Sequence, residues 1–242
     1  MANEAGDMKL LGNFSKLIDL LKSEPTYAPP NAKITTTAME TQYAAALAAV
    51  QDVGNKIAPN KVAISERQTT YDQLPALVTR SRNVLKASGA AKAVVDDAET
   101  SLRKVLGRRK SPKVKDNPAT PANEADANHS AAQTSFDNQL GNFGAYLAIL
   151  GAVPEYQPND TSLKLPALTS FKADLQAKND AVSATFVPLS QARGLRDQLL
   201  YLSPDNVVDT ALLSKAYVAG EFGTNSNVHK QIKGLKFQRR LL

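Results

Sequence analysis

The chain has 242 residues, 43% of them hydrophobic and 21% charged, with a formal net charge of +6 at pH 7. This is ordinary globular composition, enough for one large domain or two small ones, and it excludes a disordered or fibrous chain. Cysteine is absent, which excludes disulfides, thiolate metal sites and a cysteine nucleophile, and the 2 histidines, His129 and His229, argue against a histidine-rich metal centre.

The first residues carry no basic segment followed by an apolar core, and the most apolar stretch, 143–153, is about half of a membrane span. A cytoplasmic protein without membrane contact is the expectation. Helix A is expected over 7–24, where Leu10, Phe14, Leu17, Leu20 and Leu21 recur at helical spacing. Pro25-Thr26-Tyr27-Ala28-Pro29 ends it, because proline and its predecessor disfavour helix. Helix B is expected over 35–57, with Met39, Gln42, Ala46, Val53 and Ile57 along one face. Pro59 suits the first turn of a new helix, which puts helix C at 60–73. Pro75 marks a further break before helix D at 76–87, and Ala90 to Gly107 gives one more helix. From Lys110 to Ser130 the chain holds Pro112, Pro118 and Pro121 and almost no large apolar residue, so it reads as an extended linker.

The pattern then starts again. Phe136, Leu140, Phe143, Leu147 and Leu150 form a second helix A, and Pro154-Glu155-Tyr156-Gln157-Pro158 ends it. Helices B, C and D are expected over 162–186, 189–202 and 205–220, with Leu168, Phe171, Leu175, Val182 and Phe186 as a stripe that seals a core. A loop rich in Gly, Asn and Ser precedes a last basic segment, Val228 to Leu242. At an offset of 129, residues 11–75 and 140–204 share 16 identities in 65 ungapped positions, starting from Leu-Gly-Asn-Phe at 11 and at 140. Chance agreement is about one position in fifteen. Only four of the matches are alanine, so alanine-rich composition does not explain them. The expected fold is all-α: two tandem, internally duplicated antiparallel helical bundles of about four helices each. A Pro/Asn/Ala-rich linker joins them, with boundaries at 1–110, 111–132 and 133–242.

The charge is local. Arg103, Lys104, Arg108, Arg109, Lys110, Lys113 and Lys115 form a tract without acids, and so do Lys230, Lys233, Lys236, Arg239 and Arg240. These hold 12 of the 29 Lys and Arg, leaving 17 cations against 23 acids elsewhere. They are the anion-binding candidates, set against a plainer role as cations at helix C-termini. Tyr27 and Tyr156, each held between prolines, are candidate partner anchors, set against rings that close a bundle end with the hydroxyl on backbone. Arg67 and Arg196, equivalent on helix C, are candidate partner contacts, set against salt bridges to a neighbouring helix.

The chain carries no phosphate loop, dinucleotide fingerprint, nucleophile elbow or zinc-protease motif, and no Glu-x-x-His pair for a di-iron bundle. No catalytic residue, cofactor, metal or small-molecule substrate is expected. The expected function is that of a non-enzymatic structural or interaction protein, a scaffold or assembly element whose partner is another protein or itself. The alternative is an RNA- or DNA-associated protein gripping phosphate backbone through 103–115 and 228–242.

Overall fold

The computed structural model describes residues 4–108 and 135–239, and among them every regular element is a helix. Helix α1 spans Glu4–Lys22, α2 Thr36–Tyr71, α3 Leu74–Ala87 and α4 Lys92–Val105. Then come α5 Phe136–Gly151, α6 Leu165–Asp197, α7 Val207–Glu221 and α8 Asn227–Lys233. Single 3-10 turns, Ala32–Ile34 and Thr161–Leu163, precede α2 and α6, and a π-helical turn, Gln198–Leu202, extends α6. The expected linker at 111–132 lies outside the described residues.

Side-chain caps set several helix starts. Ser135 accepts from the Asn138 amide, Asn206 from Asp209 and Ser226 from His229, each satisfying a first-turn N–H that has no partner within the helix. Gly89 and Gly223 stand just past α3 and α7 at φ of 82° and 78°, the left-handed conformation that turns a chain off a helix without a Cβ clash. Landmarks recur at the offset of 129. Helices α1 and α5 end at Lys22 and Gly151, the 3-10 turns cover 32–34 and 161–163, and α2 and α6 begin at Thr36 and Leu165. Asn31 and Asp160 cap those turns alike, each accepting from the amide two residues on. Past α6 the offset grows by four. Leu74, Val78, Ser81 and Leu85 of α3 then correspond to Val207, Ala211, Ser214 and Val218 of α7, and all eight are buried.

The breaks expected at Pro59 and Pro188 do not occur. Helices B and C are one helix in each half, with Pro59 inside α2 and Pro188 inside α6. An interior proline removes one backbone hydrogen bond and crowds the preceding turn, at a cost of about 3 kcal/mol. Packing beside the prolines offsets it. Val53, Leu189 and Ala192 form a small buried cluster with Ile57 against it, and Asn60 Nδ2 donates to Thr185 Oγ1 at 3.1 Å. The Leu168–Phe186 stripe also needs correction. Leu168 and Leu175 are fully buried, but Val182 is only partly buried and Phe186 is 54% exposed. Leu168 and Leu175 belong to one core, and beyond Thr185 Leu189 and Ala192 are buried in a separate cluster with Val53.

The chain gathers into two compact units: unit 1 takes residues 1–61 and 185–242, and unit 2 takes 62–184. These are not the boundaries that the halves suggest, because α2 and α6 each supply residues to both units. In unit 1, Leu11, Phe14, Leu17 and Leu21 of α1 and Met39 of α2 share a core with Val207, Val218, Ile232 and Phe237 from the second half. In unit 2, Val78 and Leu85 of α3 and Leu102 and Val105 of α4 share a core with Phe143, Tyr146 and Leu150 of α5 and Leu168 and Leu175 of α6. Within each unit the helices pack as a bundle around a core of aliphatic and aromatic side chains.

Candidate functional site

Tyr27 and Tyr156 hold equivalent places after α1 and α5. Their amides bond the carbonyl three residues earlier, Tyr27 to Glu24 and Tyr156 to Val153, both at 3.1 Å. Their hydroxyls donate to the end of the following 3-10 turn, Tyr27 to Ile34 O and Tyr156 to Leu163 O, both at 2.7 Å. Each ring thus pins its loop to the bundle, and each hydroxyl satisfies a carbonyl beside a buried side chain. Tyr156 is buried. Tyr27 is half-buried and meets Tyr217 edge-on with centroids 5.6 Å apart.

Burial pushes the Tyr156 hydroxyl from the ordinary 10.0 up to about 12, against a lowering hydrogen bond from Ser81. Burial raises Tyr146 further, although its hydroxyl lies 2.8 Å from Ser81 Oγ. A proton held more tightly in the native state stabilises the fold fully below the unfolded pKa, and that contribution is lost as pH rises through the folded pKa. Folding stability is therefore expected to fall from about pH 10 upward, and Tyr156→Phe with Tyr146→Phe to flatten that fall in denaturant titrations. At neutral pH, Tyr156→Phe alone is expected to cost about 1–2 kcal/mol, because the Leu163 carbonyl loses its donor.

Arg67 and Arg196 reach equivalent places on the first helix of the opposite half, since Phe136 and Asp7 are themselves 129 apart. In unit 1 the Arg196 side chain is 10% exposed, and its Nε lies 3.5 Å from Oδ2 of the fully buried Asp7. Arg196 Nε and Nη2 also donate to Asp197 Oδ1 at 2.9 and 2.8 Å, and the Tyr201 hydroxyl donates to Asp7 Oδ1 at 2.7 Å. In unit 2 the Arg67 guanidinium sits over the Phe136 ring, 4.1 Å from its centroid. Tyr71 packs edge-on against the same ring, donates to Phe136 O at 3.1 Å and accepts from Asn179 Nδ2 at 3.0 Å. Both arginines are thus placed against their own chain.

Arg103 and Lys104 stand in the last turn of α4, and Lys230 and Lys233 in the last turn of α8, where cations complement the helix dipole. Arg108 follows in irregular chain, while Arg109, Lys110, Lys113, Lys115, Arg240 and His129 lie outside the described residues. After α8 the chain continues as a strap, 235–239, fastened at four points. Lys215 Nζ donates to Leu235 O at 2.9 Å, and Asn13 Nδ2 donates to Lys236 O at 3.1 Å. Phe237 is buried edge-on against Phe14, and Arg239 Nε donates to Asp209 Oδ1 at 2.7 Å. Strap and α1 border a groove of about 370 Å³ lined by Lys9, Leu10, Asn13, Tyr201, Lys236 and Arg239. A groove of about 320 Å³ in unit 2 is lined by Gln68, Asp72, Gln139 and Phe136 among others, with no cation. Its Asp72 and Gln139 are the counterparts of Tyr201 and Leu10 at the offset of 129.

Sequence reasoning finds Lys236 and Arg239 but misses Lys9, which only the fold brings beside the strap. It also misses Asp7, although a signal exists. Asp7 opens the helical row 7, 10, 14, 17, 21, and a carboxylate in a core-facing row calls for a buried partner. Among the described residues no group of three or more His, Asp or Glu is placed to hold a metal ion, and no helix is long and apolar enough to cross a membrane. No protein-family model, curated protein or solved structure matches the chain.

Proposed function

We propose that the chain is a non-enzymatic structural or interaction protein. It is an assembly or scaffold element, formed by duplication, that offers two pseudo-symmetric helical units to a partner protein or to further copies of itself. One observation carries this reading. Val187, Leu195 and Leu202 recur about two turns apart along α6 and the π turn that extends it. They are 52%, 50% and 57% exposed, and Leu213 of α7, a helix packed on that turn, is 51% exposed. A row of large apolar side chains left in water on a folded unit marks an interaction surface. The counterparts at the offset of 129 are Ala58, Glu66 and Gln73, so the row belongs to unit 1 alone.

The mass of the protein as isolated from its own cells tests the proposal. An assembly heavier than the 25.9 kDa chain is expected, returning towards 25.9 kDa in a Leu195→Glu, Leu202→Glu variant that keeps its helical circular dichroism. A lone 25.9 kDa particle from the unaltered protein overturns the reading.

A second reading is favoured by the meeting of Lys236 and Arg239 with Lys9 at one groove. In it the chain associates with RNA or DNA through phosphate backbone. Such binding weakens steeply with salt, because released counterions drive it. Absence of salt-dependent binding to any nucleic acid removes this reading.

A further inference from the structure

We infer that the groove between α1 and the 235–239 strap is a binding site for a phosphate-bearing ligand. Only the form in which that phosphate belongs to a strand rests on the nucleic-acid reading above. The first argument is charge. Among the described residues, Lys9, Lys236 and Arg239 line the groove and no carboxylate does. Of the acids of unit 1, Asp7 is engaged with Arg196 and Tyr201, and Asp209 with Arg239 and Asn206. Lys9 stands exposed in the second turn of α1. The strap adds two more cations beside it. Arg239 is shared with Asp209, so an anion in the groove would chiefly offset the mutual repulsion of Lys9 and Lys236.

The second argument is construction. The cations of the strap rest on a backbone held by the Lys215 and Asn13 hydrogen bonds and by the buried Phe237 ring. A ligand therefore meets groups already in place and forfeits little ordering entropy. The Tyr201 ring and Leu10 add apolar surface beside the charges, as ligand sites commonly do. The third argument is asymmetry. The unit 2 groove is lined by Asp72 and two glutamines and by no cation, so the cations are a property of this groove and not of the bundle geometry.

The test titrates the full chain with pyrophosphate and with a short single-stranded oligonucleotide at low salt. Pyrophosphate is expected to bind, and Lys9→Ala with Lys236→Ala to weaken it by about tenfold or more, through loss of two charge-assisted contacts. Lys92→Ala with Lys172→Ala, two exposed or partly exposed cations of unit 2, is expected to change nothing. The Lys236 carbonyl, not its side chain, fastens the strap, so the double variant keeps that hydrogen bond. Lys9→Glu, at a residue that makes none of the four contacts fastening the strap, is expected to abolish binding on its own and serves if the double variant misfolds. An oligonucleotide that competes with pyrophosphate identifies a strand as the source of the phosphate. Pyrophosphate binding without oligonucleotide binding identifies a free phosphate compound, and either result supports the groove. Oligonucleotide binding that is equal in parent and groove variants overturns the site while leaving the nucleic-acid reading intact. Failure of both probes to bind overturns both.

Discussion

Arg196→Met is expected to lower folding stability by about 3–5 kcal/mol, measured by urea unfolding. Asp7 is fully buried on α1, and Arg196, itself 8% exposed, is the cation that reaches it. Without Arg196 a fully buried carboxylate loses its ion-pair partner while the Tyr201 hydroxyl still donates to it, and desolvation of a buried charge stripped of its counter-charge is among the costliest single changes a core can suffer. Replacing both partners behaves differently. Asp7→Leu with Arg196→Met is expected to recover most of the loss, since a well-packed apolar pair matches or exceeds a buried ion pair. The equivalent Arg67→Met is expected to cost about 1 kcal/mol, because a guanidinium over a ring contributes about that much and methionine keeps part of the packing. Equal losses at 67 and 196 would mean that the Asp7 pairing carries no special weight.

Residues 1–120 and 121–242, made as two separate polypeptides, are each expected to lack a cooperative unfolding transition, and their mixture to recover one as a 1:1 helical complex. The cut falls outside the described residues and severs none of the helices α1 to α8. Each fragment keeps only part of each core. Phe14 and Leu17 of α1 lose Val207, Ile232 and Phe237, and Leu102 and Val105 of α4 lose Phe143 and Leu150. The whole net stability of a domain is about 5–15 kcal/mol, so losing half the partners of a core removes all of it. Fragments that each unfold cooperatively as monomers would restore the boundaries 1–110 and 133–242 and overturn the division described above.

The helical character, the row along α1, the matching row along α5 and the tyrosine loops are all legible in the sequence. Period, proline placement and a constant offset determine them locally. Pro59 and Pro188 are not legible as interior residues. A proline in a first turn and a proline inside a helix look alike in sequence, and the difference is made by Val53, Leu189 and the Asn60–Thr185 bond, which are far apart in the chain. Periodicity also says which face of α1 is buried but not against what, and its partners stand about 190 positions away. The groove fails for the same reason, because Lys9 and Lys236 are neighbours only after both ends of unit 1 have met.

That distance between α1 and its partners has a consequence for synthesis on the ribosome. Unit 2 is continuous in the chain, residues 62–184, and can close while 185–242 are still being made. Unit 1 cannot, because α7, α8 and the strap emerge after everything else in it. At about 5–20 residues per second, the greasy side of α1 stays uncovered for roughly 10 to 40 s. Nascent chains of this protein accordingly offer ribosome-bound chaperones a long-lived target at Leu10–Leu21, and release from them waits on the final fifty-odd residues.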